Sequence, residues 1–209
     1  MLMHIQTRNK CHYSTIRLHL NSALSSHYYY QKSGKTNMER MNRKVVMVAV
    51  DESQESLYAL SWAIDHLFPA PMTPQDTHEV APGATILVIL HVQPPVHNHI
   101  HSVGPAVCAT PSLIESVKHA QEESSRKVLS NALLICEEKG VRAETALVEG
   151  DAKEMLCQTA EQMNADVLVV GSRGLGALKR AFLGSVSDHC AHHASCPVLI
   201  VKPPKASTS

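Results

Sequence analysis

Apolar residues fall along this chain in two rhythms, short unbroken runs and longer stretches at helical spacing. Lys44 to Val50 (KVVMVAV) is a nearly continuous β-branched run, the pattern of a parallel strand buried on both faces. Ser53 follows as an N-cap with Glu55 in the first turn. Leu57, Leu60, Ile64 and Leu67 then recur at helical spacing until Pro69, Pro71 and Pro74 stop the helix. Tyr58 and Trp62 lie on that apolar stripe and are expected to pack rather than to stack on a ligand. Ala84 to Val92 (ATILVILHV) reads as a second buried strand. Thr110-Pro111 opens a long helix reaching Lys139, with Gly140 at its C′ position. Its first turns should project beyond the sheet, since so long a helix outruns a short strand.

The third strand, Val141 to Val148, alternates polar and apolar residues and is expected at a sheet edge. Asp151 and Glu154 have the spacing of a capping box for a helix that buries Met155, Leu156, Thr159 and Met163. A fourth strand spans Asp166 to Val170, a helix runs from Gly184 to about Ala194, and Pro197 to Val201 (PVLIV) forms a fifth strand. Alternating strands and helices predict a Rossmann-like α/β fold: five mainly parallel strands with helices on both faces. Right-handed crossovers restrict its topology, with 3-2-1-4-5 the expected strand order. Ligands of such sheets bind beyond the carboxyl ends of the strands, which here carry Asp51, Val92 and Gly171.

Length and charge alter this picture little. The 209 residues suit one main domain, and a net charge of zero suggests neither nucleic acid nor an anionic membrane as partner. No apolar run approaches the roughly 18 residues that span a bilayer. Six cysteines without a C-x-x-C pair suit a reducing compartment, so a cytoplasmic location is expected. Residues 1–38 contain no acid, and residues 1–40 are read as a disordered basic extension. The alternative is a transit peptide for organelle import, and Met38 would serve as another start. Gly34-Lys35-Thr36 only imitates a P-loop, because Tyr29 stands where the first glycine belongs. His97, His99 and His101 alternate in a polar loop, and His189, His192 and His193 crowd the last helix. Solvated or dipole-facing histidines are expected in both places rather than metal ligands.

Candidate chemistry concentrates in ADVLVVGSRGLGALKRAFLGSV, residues 165–186, where a strand breaks into glycines and re-enters a helix. Gly171 and Gly174 allow sharp turns and close backbone approach to a phosphate. Gly184 and Ser185 begin a helix whose N–H groups point at an anion. Ser185 and Ser187 offer hydroxyls; Arg173 and Lys179 or Arg180 offer positive charge.

The spacing G-x2-G-x9-G-[ST] is similar to the ATP-binding signature of the universal stress protein family. VVMVAVDES, ADVLVVGSRG and GSVSDHCAHHASCPVLIVK extend the resemblance, to a plant-type member, over residues 43–202, leaving 203–209 as a tail. The resemblance implies an adenine nucleotide alpha hydrolase-like fold and ATP as ligand, with Mg2+ if it accompanies the phosphates. It implies that Asp51 lies against the nucleoside, that Val92 presents its backbone to adenine, and that Ala49 and Val50 line the floor. Val186 and Ser187 match phosphate-side positions, and the last strand, Pro197 to Val201, is expected to pair with its copy in a homodimer. Residues 172–183 contain no Asp, Glu or His, so the site is expected to hold ATP rather than cleave it, signalling as a stress sensor or adaptor to a protein client. The alternatives are a slow ATPase or phosphotransferase, and a nucleotide-free, redox-regulated chaperone-like oligomer.

Overall fold

A computed structural model describes residues 15–16, 44–68, 85–96, 110–172 and 183–204. Among these residues, six strands and four helices follow one another as β1 (Thr15–Ile16), β2 (Lys44–Ala49), α1 (Gln54–Leu67), β3 (Thr85–Gln93), α2 (Pro111–Glu138), β4 (Ala143–Glu149), α3 (Ala152–Gln162), β5 (Val167–Gly171), α4 (Ser185–His193) and β6 (Val198–Val201). The sheet is parallel throughout, in the order β1-β4-β3-β2-β5-β6. Its five main strands therefore stand in the expected order. One detail differs: Thr15 and Ile16 pair outside β4 with Thr145 and Ala146, so the alternating strand is not wholly an edge.

β2 lies at the centre, and the apolar run that forms it is buried on both faces. Val46, Val48 and Val50 enter one core with Leu60, Ile64, Leu87 and Ile89, under α1 and α2. Met47 enters the other with Val88, Leu90, Leu156 and Leu168, under α3 and α4. From β2 the chain moves outward on one side through β3 and β4, then returns to β5 and β6 on the other. The order reverses between β2 and β5, and the carboxyl ends of those strands border the crevice where such sheets take ligands.

Helix boundaries follow local chemistry. Ser53 caps α1 by accepting from the Ser56 N–H at 3.2 Å, and Thr110 caps α2 by accepting from Leu113. Gly140, at φ 68°, ends α2 in the left-handed region, with the Val141 N–H closing on the Cys136 carbonyl. The capping box on α3 forms by half. Asp151 accepts from the Lys153 N–H at 2.9 Å, while the Glu154 carboxylate lies 3.5 Å from Nε2 of His189 on α4. Trp62 packs against the core and stacks on His66 with ring centroids 4.2 Å apart, as its place on the apolar stripe predicts.

Candidate functional site

β2 ends where its ladder with β3 runs out. The Val50 N–H still donates to the Leu90 carbonyl at 2.9 Å, and the Val50 side chain stays in the core beneath α1. Val50 can therefore offer a ligand only its backbone, and Ala49 packs half-buried on the opposite face. Asp51 turns the chain into α1. Its Oδ1 accepts from the Ser53 N–H at 3.0 Å and the Ser53 hydroxyl at 2.5 Å, an Asx turn that fixes the carboxylate. Oδ2 has no partner among the described residues, so one oxygen of a positioned carboxylate remains for a ligand.

The neighbouring strand offers backbone groups. Along a parallel strand, alternate residues direct both N–H and C=O toward the same neighbour. The Leu90 carbonyl faces β2, whereas the Gln93 carbonyl faces β4 and accepts from the Gly150 N–H at 2.9 Å. Val92, two residues after Leu90, therefore turns its N–H and C=O toward the end of β2. The next rung would place the Val92 N–H on the Val50 carbonyl. That carbonyl instead meets Nδ1 of His91 at 2.8 Å, and neither backbone group of Val92 has a ladder partner among the described residues. A carbonyl only accepts, so Nδ1 carries the proton. Burial holds the His91 pKa below 6.5, against an opposing pull from the Val50 carbonyl and from Asp51 and Glu52, so the ring is neutral at pH 7.

His91 is the polar group at this strand end that the sequence pattern does not single out. In ATILVILHV it looks like one polar residue near the end of an apolar strand, and only its burial beside Val50 distinguishes it. Around it α2 is tied to the same edge: the Ser125 hydroxyl donates to Oε1 of Gln93 at 3.0 Å, the Gln121 amide to the Pro94 carbonyl, and the Ser124 hydroxyl to the Glu52 carboxylate.

Across the crevice, Ser172 fastens both ends of the glycine loop. Its N–H donates to the Val201 carbonyl at 2.8 Å, and its own carbonyl accepts from the Gly184 N–H at 2.8 Å and the Ser187 hydroxyl at 3.2 Å. Residues 173–182, among them Arg173, Gly174, Lys179 and Arg180, lie outside the described residues. α4 begins immediately afterwards. Gly184 occupies its N-cap and makes no side-chain cap bond, unlike the caps of α1, α2 and α3. The first N–H groups of α4, at Ser185, Val186 and Ser187, thus have no partner among the described residues and stand at the positive end of its dipole.

Two expected roles change. Ser187 is buried and its hydroxyl serves the Ser172 and Gly184 carbonyls, so it closes the loop; Ser185, exposed, is the hydroxyl facing outward. Gly171 lacks a side chain because α1 crosses it: a Cβ there would lie 3.1 Å from the Glu55 carbonyl carbon and oxygen and 3.2 Å from the Ser56 nitrogen. On α4, His189 and His193 stack with centroids 4.1 Å apart, and Nδ1 of His192 and His193 engages backbone carbonyls one turn earlier. Among the described residues no group of three His, Cys, Asp or Glu could hold a metal ion, and no helix is long and apolar enough to cross a membrane.

A doubly wound parallel sheet whose switch point carries a positioned carboxylate, an open strand end and an uncapped helix N-terminus belongs to the Rossmann-like class. The chain is a member of the universal stress protein family, whose model matches residues 42–202. It is 36% identical over 177 residues to universal stress protein PHOS34 of Arabidopsis thaliana, covering 78% of this chain and 63% of that one. A Methanocaldococcus jannaschii universal stress protein is 31% identical over 183 residues, covering 87% and 95%. The chain spans just under two thirds of the length of the first Arabidopsis relatives it matches. Among solved structures it resembles an Arabidopsis thaliana universal stress protein family protein crystallised with AMP bound. The TM-score is 0.52 at 26% identity, over 79% of this chain and 95% of that one.

Proposed function

We propose that this chain binds an adenine nucleotide at the carboxyl edge of its sheet, with ATP as the working ligand, and serves as a nucleotide-dependent stress sensor or adaptor. The observation that carries the reading is the opposition of two kinds of open group across one crevice. On one side stand the Val92 backbone and the remaining oxygen of Asp51, which suit the base and sugar. On the other stand the open N–H groups of α4 and the base of the glycine loop, which suit phosphate. The AMP bound by the Arabidopsis relative supports the adenine part. Extension to ATP rests on the loop, whose Gly174, Arg173 and Lys179 or Arg180 are placed in sequence to meet further phosphates. Mg2+ would arrive with those phosphates. Because residues 172–183 lack Asp, Glu and His, binding rather than turnover is the function, and a bound triphosphate would order the loop toward a protein client.

Calorimetry on the full chain with ATP, ADP and AMP tests this. Gly174→Val should weaken ATP on the order of tenfold or more by blocking close backbone approach, with AMP affected less. Equal affinity of variant and parent for ATP would refute the triphosphate assignment. ATP turnover that disappears in Asp51→Ala would favour the enzyme reading instead.

A further inference from the structure

We propose that His91 is a positioning residue for adenine recognition: its imidazole occupies the Val50 carbonyl and thereby keeps the Val92 N–H available to the ligand. This rests on the nucleotide reading above and adds to it a cause for the open strand end. Regular pairing of β2 with β3 continues through the Val50 N–H on Leu90, so both strands are in register for one more rung. The rung would join the Val92 N–H to the Val50 carbonyl, closing the backbone edge on which a base could be read. Instead the side chain of the intervening residue reaches that carbonyl at 2.8 Å.

The chemistry of the side chain suits the task. His91 is buried, and a buried donor is held to its acceptor because leaving it unmatched is costly. Its neutral Nδ1–H tautomer donates without placing a cation beside the crevice. The chain that follows His91 is also held in place: Val92 lies in register with Val148 of β4, and Gln93 is fastened to Ser125 of α2. The same residue therefore connects the two nucleoside-end positions, Val50-Asp51 and Val92, which come from different strands.

Three full-length proteins test this: the parent, His91→Leu and His91→Asn. The Asn amide nitrogen reaches nearly the place of Nδ1 and retains the donor, whereas Leu fills the site without one. Affinities are measured for ATP and for inorganic tripolyphosphate, which lacks the base. His91→Leu should lose on the order of tenfold in ATP affinity, the scale of one hydrogen bond, with tripolyphosphate binding unchanged. His91→Asn should recover most of the loss. A second measurement needs no variant. In ligand-free parent, the Val92 amide should exchange with solvent much faster than the Leu90 amide and become protected when ATP binds.

A Val92 amide already protected without ligand would overturn the proposal. So would ATP affinity retained in His91→Leu, an equal loss in His91→Asn, or a parallel loss of tripolyphosphate binding. A parent that binds ATP no more tightly than tripolyphosphate would instead overturn the adenine reading itself.

Discussion

Gly171 occupies the point where β5 passes under α1, and a methyl group there would be tight against backbone. A Cβ would meet Glu55 and Ser56 at 3.1–3.2 Å, on a helix turn that cannot withdraw without disturbing Asp51. Gly171→Ala should therefore cost about 1–3 kcal/mol of stability, the range for overpacking. Urea unfolding read as a shift of the midpoint at constant slope measures it. His91 carries a second consequence at this scale, through its lowered pKa. As pH falls below 6.5 the unfolded chain takes up a proton that the buried ring resists, so stability falls with pH until the lowered folded value has been passed. Above 6.5 the contribution is fully present. Thermal midpoints across pH 5–8 should show a shallower acid decline for His91→Asn than for the parent, which separates this ring from the other histidines.

At the scale of elements, the beginnings of α1 and α4 divide the labour of the site. Ser53 caps α1 and at the same time holds Asp51 by two hydrogen bonds. Ser53→Ala should lose about 1 kcal/mol of stability as a missing cap. It should also weaken ATP binding, because the carboxylate then keeps only the residue-53 N–H of its two tethers and is less firmly held; Thr110→Ala, which removes the cap of α2, should cost a similar stability and leave ATP binding unchanged. Unfolding and calorimetry on the same two variants check the contrast. α4, by comparison, is left open by Gly184, and the Ser172 carbonyl secures it where a cap would. The long helix α2 has the outward-reaching first turns that its length predicts, with Ile114 exposed, and it binds the site edge only from Gln121 onward.

At the scale of the molecule, β6 pairs with β5 on one side, and no strand among the described residues covers the other. Val198, Leu199 and Ile200 remain half-exposed on that edge, an arrangement that favours pairing with a second copy. We propose a homodimer through Pro197 to Val201. Sedimentation at micromolar concentration should show a dimer for the parent and a monomer for Ile200→Lys. A parent that sediments as a monomer rejects it. Location remains a proposal as well: cytoplasmic, tested by a fluorescent fusion of residues 1–40, for which import into an organelle would be the contrary result.

The sequence by itself determined the strand runs, the helical stripes, the strand order and the glycine spacing, because these depend on local periodicity and on the limited ways a right-handed α/β chain can wind. It also brought Asp51, Val92 and Gly171 to notice, since each stands at the carboxyl end of an apolar run. Only the tertiary structure decided which atoms of those residues remain open. Val50 turns its side chain into the core, Ser187 spends its hydroxyl on two carbonyls, Gly171 accommodates a crossing helix, and His91 takes the carbonyl that would have closed the strand end on Val92. Each of these depends on groups distant in the chain meeting within hydrogen-bond or van der Waals reach. Hydrophobic periodicity records which face of an element is buried, but not which partner each polar atom finds there.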